Sequence, residues 1–254
     1  MFQLNEKIAA VTGGGSGIGK AVALLFAKQG ATVHIIERNE EACNATVNEI
    51  MQTGGKAFTH ICDVTDQQQV KDTFASIGDV AILVNSAGVS HIGNAETTTE
   101  ADFDRIYNVN VKGVYNCLHA AVPIMKKNKN GVILNLASVA SNVGLQDRFA
   151  YSMSKGAVYA MTLSVAKDYI HDGIRCSCIS PARVHTPFVD DFIKKNYPGQ
   201  EADMFAKLSK TQPIGRMAEP EEIANLILFL CSDEASFITG CDYPIDGGFI
   251  KLNN

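Results

Sequence analysis

Hydrophobic residues occur along the chain in two alternating patterns, short apolar runs and longer stretches of helical periodicity. The short runs are rich in Val, Ile and Ala, which is typical of buried strands. The predicted strands are Ile8–Val11, Thr32–Ile36, Ala57–Ile61, Val80–Val84, Val132–Leu136, Arg175–Ile179 and a short one near Tyr243–Ile245. The predicted helices are Ser16–Gln29, Glu40–Thr53, Asp66–Ser76, Glu100–Lys127, Tyr151–His171 and Glu219–Ser232.

This alternation predicts an α/β fold. Repeated strand–helix–strand units form parallel sheets with helices on both faces. We therefore expect one Rossmann-type, doubly wound parallel sheet of about seven strands, in a single domain over residues 1–254. The one long irregular stretch, 181–212, holds two short helical patterns, Phe188–Lys195 and Glu201–Lys210. Long segments after a late strand often cover a binding site, so we expect a substrate lid there.

The charge and composition argue against several classes of binding partner. The net charge of −5 speaks against nucleic acid. No apolar run reaches the roughly 18 residues that a membrane span requires, and the first residues lack the pattern of a signal peptide. The seven cysteines form no C-x-x-C pair and no cluster with zinc spacing. We expect a cytoplasmic protein without a bound metal and without a nucleic-acid or membrane partner.

A glycine-rich turn, Thr12–Gly19, follows the first predicted strand and opens the first predicted helix. Glycines there permit close approach of the backbone to a pyrophosphate, which the free N–H groups of the helix N-terminus attract. The second predicted strand leads into Glu37, whose carboxylate can accept hydrogen bonds from an adenosine ribose. Arg38 follows, and a guanidinium suits a ribose phosphate instead. The pattern predicts a dinucleotide site that prefers NAD, with Arg38 opposing that preference.

Tyr151 and Lys155 are four residues apart in a predicted helix, so their side chains share one face, and Ser138 lies thirteen residues before Tyr151. Lowering the pKa of a tyrosine from about 10 by about 2–3 units requires roughly 3–4 kcal/mol. One ammonium group about 4 Å away supplies about 4 kcal/mol at an effective dielectric of about 20. An isolated pair of this kind is usually an ordinary solvated pair. Together with the glycine turn, it predicts a tyrosine that exchanges a proton near neutral pH.

Over nearly its full length the chain resembles the short-chain dehydrogenase/reductase family. Besides the glycine turn, Cys62–Thr65 resembles the segment whose Asp contacts the adenine, and Asn85–Gly88 is similar to the family's Asn-Asn-Ala-Gly motif. Asp246–Gly248 resembles the last strand and turn of the family. The stretch from Pro181 to Thr186 resembles the loop that covers the nicotinamide, although Ala182 stands where the family usually has Gly.

The resemblance implies hydride transfer with a nicotinamide dinucleotide and a catalytic tetrad of Asn110, Ser138, Tyr151 and Lys155. Tyr151 would exchange a proton with the substrate oxygen, Ser138 would orient that oxygen, and Lys155 would lower the pKa of Tyr151 and bind the nicotinamide ribose. Asn110 would hold a water in a proton relay. The implied cofactor-binding residues are Gly13, Ser16, Gly17, Ile18, Gly19, Glu37, Asp63, Val64, Asn85, Ala87, Gly88, Tyr151, Lys155, Pro181, Val184 and Thr186.

Three further residues concern the substrate, in addition to Ser138 and Tyr151. Arg148, Arg183 and His91 are expected near the cleft. Two guanidinium groups favour an anionic substrate, because Arg binds carboxylate through two parallel hydrogen bonds; both arginines would equally suit the rim of the cleft or an interface. The sequence around Ser138 and Tyr151 resembles two branches of the family. One oxidises 3-hydroxybutyrate, and the other acts on 2-keto-3-deoxy sugar acids such as 2-keto-3-deoxy-L-fuconate.

We therefore predict an NAD-dependent dehydrogenase of a small hydroxy acid or deoxy sugar acid. Two alternatives stay open, a 3-oxoacyl thioester reductase and a non-catalytic dinucleotide-binding protein on the same fold. The predicted helices Glu100–Lys127 and Tyr151–His171 are apolar on more than one face, which calls for a second partner. The residues on which this rests are Val114, Leu118, Val158, Met161 and Val165. The family pairs these helices between subunits, so the resemblance implies a homotetramer.

Overall fold

The computed structural model describes residues 1–252, except the side chains of Phe188 and Asn196. Its strands form one parallel sheet in the order β3-β2-β1-β4-β5-β6-β7. The predicted parallel sheet is thereby confirmed. The strands are β1 (Ile8–Thr12), β2 (Thr32–Glu37), β3 (Lys56–Ile61), β4 (Ile82–Asn85), β5 (Gly131–Leu136), β6 (Ile174–Pro181) and β7 (Asp242–Ile245).

Helices cover both faces of the sheet, as predicted. Apolar residues of α1, α2 and α9 pack on one face, and those of α3, α5 and α6 pack on the other. The α-helices of the described residues are α1 (Gly17–Lys28), α2 (Glu40–Gln52), α3 (Gln67–Ile77), α4 (Glu100–Ile106), α5 (Gly113–Asn128), α6 (Phe149–Tyr169), α7 (Pro187–Asn196), α8 (Glu201–Ser209), α9 (Pro220–Cys231) and α10 (Phe249–Leu252).

The strand order determines where a ligand can bind. From β1 the chain proceeds to β2 and β3 on one side, and then returns to β4 on the other side of β1. The chain continues from β1 to a helix on one face of the sheet and from β4 to helices on the other face, which leaves a crevice beyond the carboxyl ends of these strands. The predicted glycine turn follows β1 and the Asn85–Gly88 motif begins at the end of β4, so both border this crevice.

The predicted helix Glu100–Lys127 is wrong in one respect, because it is not continuous. A π-helical segment, Tyr107–Lys112, separates α4 from α5. Single π-turns of this kind are rare and are frequently found at functional sites. Asn110 lies in this segment and directs its amide out of the helix toward neighbouring loops. The stretch 181–212 contains the two expected short helices, α7 and α8.

Candidate active site

The crevice at the carboxyl ends of the strands opens into a cleft of about 750 Å³. Almost every residue predicted to bind the cofactor lies in its wall. From the predicted set, the wall contains Gly13, Ser16, Gly17, Ile18, Gly19, Glu37, Asp63, Val64, Ala87, Gly88, Tyr151, Lys155, Pro181, Val184 and Thr186. Ser138, Arg148 and Arg183, which were predicted to contact the substrate, lie in the same wall.

Three predicted site residues, Asn85, His91 and Asn110, lie behind this wall. Asn85 is buried, and its amide nitrogen donates a hydrogen bond to Asn135 Oδ1 at 2.8 Å, so that it ties β4 to β5. The ring of His91 lies beside Asp102, with 3.5 Å between His91 Nδ1 and Asp102 Oδ1. The main-chain carbonyl of His91 accepts a hydrogen bond from Arg148 at 3.3 Å. In this structure His91 therefore contacts a predicted substrate residue rather than the cleft itself.

The end of β5 and the start of α6 bring the predicted proton-transfer residues together. Ser138 follows β5 directly, at the N-terminus of a short 3₁₀ turn, and its Oγ accepts a hydrogen bond from the Ala140 N–H at 3.2 Å. Tyr151 lies in the first turn of α6, and Lys155 follows one turn later. The Lys155 ammonium nitrogen is 5.7 Å from the centroid of the Tyr151 ring. The expected side-by-side arrangement of Tyr and Lys is present.

The surroundings of Tyr151 act on its pKa in opposite directions. Burial raises the pKa of the phenol, whereas a hydrogen bond with Ser138 and the positive charge of Arg148 lower it. The sequence analysis assigned the lowering to Lys155 and did not anticipate this effect of Arg148. Burial lowers the pKa of Lys155 to about 8. Its ammonium group donates a hydrogen bond to the Leu136 carbonyl at 2.7 Å.

Asn110 connects the π-helical segment to Val89, in the loop after β4, and to Ser154, in α6. Its Oδ1 accepts a hydrogen bond from the Val89 N–H at 2.8 Å, and its Nδ2 donates one to the Val89 carbonyl at 2.9 Å. The same Nδ2 donates to Ser154 Oγ at 3.0 Å, next to Lys155 in α6. Both N–H groups of the side-chain amide are thus engaged, and the residue is 1% exposed. A water that Asn110 holds would therefore donate to one of its oxygens, because no side-chain N–H group is left to bind it.

The glycine turn leaves the start of α1 without a side-chain cap. Ser16 occupies the N-cap position, and its side chain makes no capping hydrogen bond. Gly13 has φ +66°, and a Cβ there would lie 2.9 Å from the Cα of Ala87, so the loops after β1 and β4 approach too closely for a larger residue. The uncapped N–H groups and the positive end of the helix dipole fit a pyrophosphate. The residues present therefore fit a dinucleotide in this cleft.

Glu37 ends β2 and is held in a defined orientation. Its Oε1 accepts hydrogen bonds from the N–H groups of Arg38 and Asn39, at 2.9 and 3.1 Å. A Cβ added to Gly15 would lie 3.2 Å from the other carboxylate oxygen, so this oxygen faces the glycine turn. The negative charge therefore lies where the adenosine ribose of a dinucleotide would be placed.

Arg148 and Arg183 bring two positive charges to one side of the cleft. Arg148 donates to the main-chain carbonyls of His91 and Asp147, and Arg183 donates through Nε to Thr211 Oγ1 at 3.0 Å. Within the described part of the chain, neither guanidinium forms an ion pair with a carboxylate. Burial lowers the pKa of both arginines, and the charge of Arg148 further lowers the pKa of Arg183. An anion bound between them would relieve this repulsion.

The cleft also contains residues that the sequence analysis missed. Among them are residues from the loop before α6, from the lid and from the last helix, namely Leu145, Gln146, Val189, Gln212 and Phe249. No motif marks these positions, because a side chain reaches the cleft there only through the packing of distant segments. In residues 1–252 there is no group of three or more His, Cys, Asp or Glu side chains that could hold a metal ion. Over the same residues no helix is long and apolar enough to cross a membrane.

Comparison with known proteins places the chain among oxidoreductases. A family model described as enoyl-(acyl carrier protein) reductase matches residues 13–250. An uncharacterised oxidoreductase of Thermotoga maritima is 41% identical over 244 residues, covering 95% of this chain and 96% of its own length. Dehydrogenase/reductase SDR family member 6 of Xenopus laevis is 38% identical over 252 residues, 98% of this chain and 99% of its own.

Two further proteins bear on the choice of substrate and cofactor. The 3-oxoacyl-(acyl-carrier-protein) reductase of Thermotoga maritima is 37% identical over 253 residues, which is 98% of this chain and 100% of its own. The structure of L-sorbose reductase from Gluconobacter frateurii, a complex with NADPH and L-sorbose, has a TM-score of 0.93 and 28% identity, and the match covers 98% of both chains. Proteins of this architecture therefore act on chemically different alcohols and ketones.

Proposed function

The chain belongs to the short-chain dehydrogenase/reductase family, whose members act on CH–OH groups with a nicotinamide dinucleotide, and we propose that this member is an NAD-dependent dehydrogenase of a small hydroxy acid or deoxy sugar acid. The observation that carries the acid substrate is the pair of half-buried arginines, Arg148 and Arg183, which face the cleft beside Tyr151 without a carboxylate partner in the described part of the chain. Burying two like charges is unfavourable unless a ligand compensates them.

The roles of the chain's own residues follow from their positions. Tyr151 accepts the proton of the substrate hydroxyl during oxidation and returns it during reduction, and Ser138 holds the same oxygen. Lys155 stays next to this pair through its bond to the Leu136 carbonyl and offers its remaining N–H donors to the nicotinamide ribose. The dinucleotide, when bound, supplies the hydride acceptor. Arg148 and Arg183 orient the acid group, so that the C–H bond to be broken faces the nicotinamide.

The polar side chains of the cleft wall support a sugar acid over 3-hydroxybutyrate as the substrate. The lid and the loop before α6 add polar side chains to the cleft wall, among them Gln146. A substrate with additional hydroxyl groups would use such groups, whereas 3-hydroxybutyrate has a methyl group instead. A 3-oxoacyl thioester reductase is the second candidate, and the relative from Thermotoga maritima named for that activity favours it. A thioester has no free carboxylate, so the two candidates differ in their need for Arg148.

The acid substrate is tested by comparing an acid with a neutral secondary alcohol. Charge-assisted hydrogen bonds contribute about 1.5–3 kcal/mol each, so Arg148→Ala should lower kcat/KM for the acid by roughly ten- to a hundredfold. Loss of the effect of Arg148 on Tyr151 would slow both substrates alike, so the ratio of the two losses isolates the contact with the carboxylate. Lys127→Ala, which removes an exposed positive charge outside the cleft wall, is the control.

Equal losses for the acid and the neutral alcohol would contradict the acid substrate. A preference of the unmodified enzyme for uncharged alcohols or for acyl thioesters would contradict it as well. A panel of hydroxy acids, deoxy sugar acids and a 3-oxoacyl thioester, assayed with both cofactors, makes these comparisons in one experiment. Absence of turnover with the whole panel while NAD still binds would favour a non-catalytic dinucleotide-binding protein.

The preference for NAD is proposed from the fixed position of Glu37. A ribose 2′-phosphate carries about −1.5 to −2 charges, and about 4 Å from a carboxylate it is repelled by up to several kcal/mol at an effective dielectric of about 20. Arg38 also lies in the cleft wall and offsets part of this repulsion. We expect kcat/KM to favour NAD over NADP by roughly tenfold or more, and Glu37→Ala to reduce that ratio. Equal values for the two cofactors in the unmodified enzyme would show that Arg38 dominates.

The seven cysteines support a cytoplasmic location, because all are free thiols in the structure and reducing compartments keep them so. We also propose a homotetramer with a small-molecule anionic substrate as its ligand.

A further inference from the structure

Asn116 is a fully buried polar residue of α5 that lies directly behind the cleft. It is 0% exposed, and it is not part of the cleft wall. Its Nδ2 donates a hydrogen bond to the Val64 carbonyl at 2.8 Å, and its Oδ1 accepts one from Gln67 Nε2 at 3.3 Å. Val64 and the adjacent Asp63 are in the cleft wall. Asn116 therefore binds the main chain of a cleft-forming loop from the side opposite the ligand.

The same loop is held at several other points. A Cβ added to Gly113, one turn before Asn116, would lie 2.8 Å from Val64 Cγ2, so α5 packs tightly against the Val64 side chain. The Asp63 N–H donates to Gln69 Oε1 at 3.1 Å, and Asp63 Oδ1 accepts a hydrogen bond from the Thr65 N–H at 2.9 Å. Side chains of α3 and α5 thus determine the path of the loop, although neither helix reaches into the cleft with these groups.

The Asp63–Val64 loop presents a hydrogen-bond donor next to a hydrogen-bond acceptor to the cleft. The N–H of Val64 has no hydrogen-bond acceptor among residues 1–252, and Asp63 keeps a second carboxylate oxygen for another donor. The edge of an adenine has the complementary pattern, an amino group that donates beside a ring nitrogen that accepts. Such a pair recognises a base only if the spacing of its two groups is fixed, which is the role of supporting contacts.

We propose that Asn116 is a positioning residue for the adenine half of the cofactor, acting through the Val64 carbonyl. This inference rests on the binding of a nicotinamide dinucleotide in the cleft. If the hydrogen bond to the Val64 carbonyl is lost, the Asp63–Val64 loop gains freedom, and the adenine must order it upon binding. The nicotinamide half would bind beside Tyr151 and Lys155, and its binding should not depend on this loop.

The test is a comparison of two fragments of the cofactor by isothermal titration calorimetry. Asn116→Leu keeps the approximate volume and removes both hydrogen bonds. We expect its Kd for ADP-ribose to rise about tenfold, its Kd for nicotinamide mononucleotide to stay within twofold, and kcat at saturating NAD to stay within twofold. Cys117→Ala is the matched control, because Cys117 is the next residue of α5 and is buried in the same core. It should lower the melting temperature without changing either Kd.

A second variant addresses the possibility that Asn116→Leu does not fold. Gln67→Leu removes only the donor to Asn116 Oδ1, at a partly exposed position, and should weaken ADP-ribose binding about threefold. Unchanged ADP-ribose binding in the folded variants would overturn the inference, and so would equal weakening of both fragments. Failure of the unmodified protein to bind ADP-ribose would contradict dinucleotide binding itself, so the two failures are distinguishable.

Discussion

At the scale of single residues, the proposed chemistry depends on the Tyr151 hydroxyl and the charges around it. Burial raises the pKa of Tyr151, whereas the hydrogen bond with Ser138 and the charge of Arg148 lower it. The Lys155 pKa of about 8 means that its ammonium form predominates at neutral pH and is lost as the pH rises through about 8. If an anionic substrate neutralises Arg148, it also removes part of the stabilisation of the tyrosinate. In the proposed mechanism, binding of the anionic substrate to Arg148 therefore changes the pKa of the residue that transfers the proton.

Tyr151→Phe tests the proton-transfer role directly. The variant keeps the ring that packs beside Lys155 and removes only the hydroxyl. General acid–base catalysis contributes typically 10²–10⁴-fold, so we expect turnover to fall by about that factor while the Kd for NAD changes little. Stopped assays with the acid substrate and calorimetry with NAD measure the two quantities. Turnover close to that of the unmodified enzyme would remove Tyr151 from the mechanism.

At the scale of elements, the outer strands β2 and β3 carry an unusual pair of imidazoles. His34 Nδ1 and His60 Nε2 are 2.8 Å apart, and the His34 ring also stacks on Phe58 with 5.0 Å between ring centroids. A hydrogen bond between the two rings requires one of these nitrogens to be unprotonated. Burial, and then the charge of His60, lower the pKa of His34 from 6.5 to about 4, and burial lowers that of His60.

These shifts predict a loss of stability in mild acid. In the unfolded chain His34 takes up its proton near pH 6.5, whereas the folded protein takes it up only near pH 4. Between these values the unfolded state binds more protons, so stability is greatest above pH 6.5 and falls as the pH is lowered, by up to about 1.4 kcal/mol per pH unit for one proton. His34→Gln should reduce this slope in urea unfolding series at several pH values. His171→Gln, at an exposed position, is the control, and an unchanged slope in His34→Gln would contradict the explanation.

At the scale of the whole molecule, exposed apolar residues support the proposed homotetramer, but they are not the residues that the sequence analysis named. Val114, Leu118 and Val158 are buried within the chain's own core, and Met161 and Val165 pack against it. The sequence argument is therefore wrong for Val114, Leu118 and Val158, because one chain already covers them, whereas Met161 and Val165 stay partly exposed. The segments from α4 to α6 instead expose other large apolar side chains to solvent. These residues are Tyr107, Tyr115, Phe149, Leu163 and Ile170.

An exposed apolar surface of this kind usually marks an interface, and we expect a homotetramer of about four times 27.3 kDa. Light scattering at micromolar concentration measures the mass. Leu163→Asp should shift the protein to smaller assemblies, because a carboxylate in an apolar interface costs desolvation energy. Met51→Asp changes another exposed apolar residue, in α2, and should leave the mass unchanged. A monomeric unmodified protein would contradict the proposed assembly.

The sequence alone determined the class of fold and the chemistry at the carboxyl ends of the strands. Strands are buried on both faces of a parallel sheet, so each is a short apolar run that can be recognised without its neighbours. The glycine-rich turn Thr12–Gly19 and the spacing of Tyr151 and Lys155 can also be recognised from a short stretch of sequence. A loop of this kind involves eight residues, and the Tyr–Lys pair spans one turn of a helix. These features predicted the parallel sheet correctly, and the cleft-lining residues they pointed to are assembled in the structure.

Only the tertiary structure decided which groups face each other across the cleft. The effect of Arg148 on Tyr151, the position of His91 behind Arg148, and the contact of Asn116 with Val64 depend on how separate loops and helices pack. The same is true of the π-helical segment, which forms where Asn110 reaches Val89 and Ser154. Periodicity reports which face of an element is apolar, but it carries no information about which distant residue lies against that face. Contacts between distant residues therefore had to be observed.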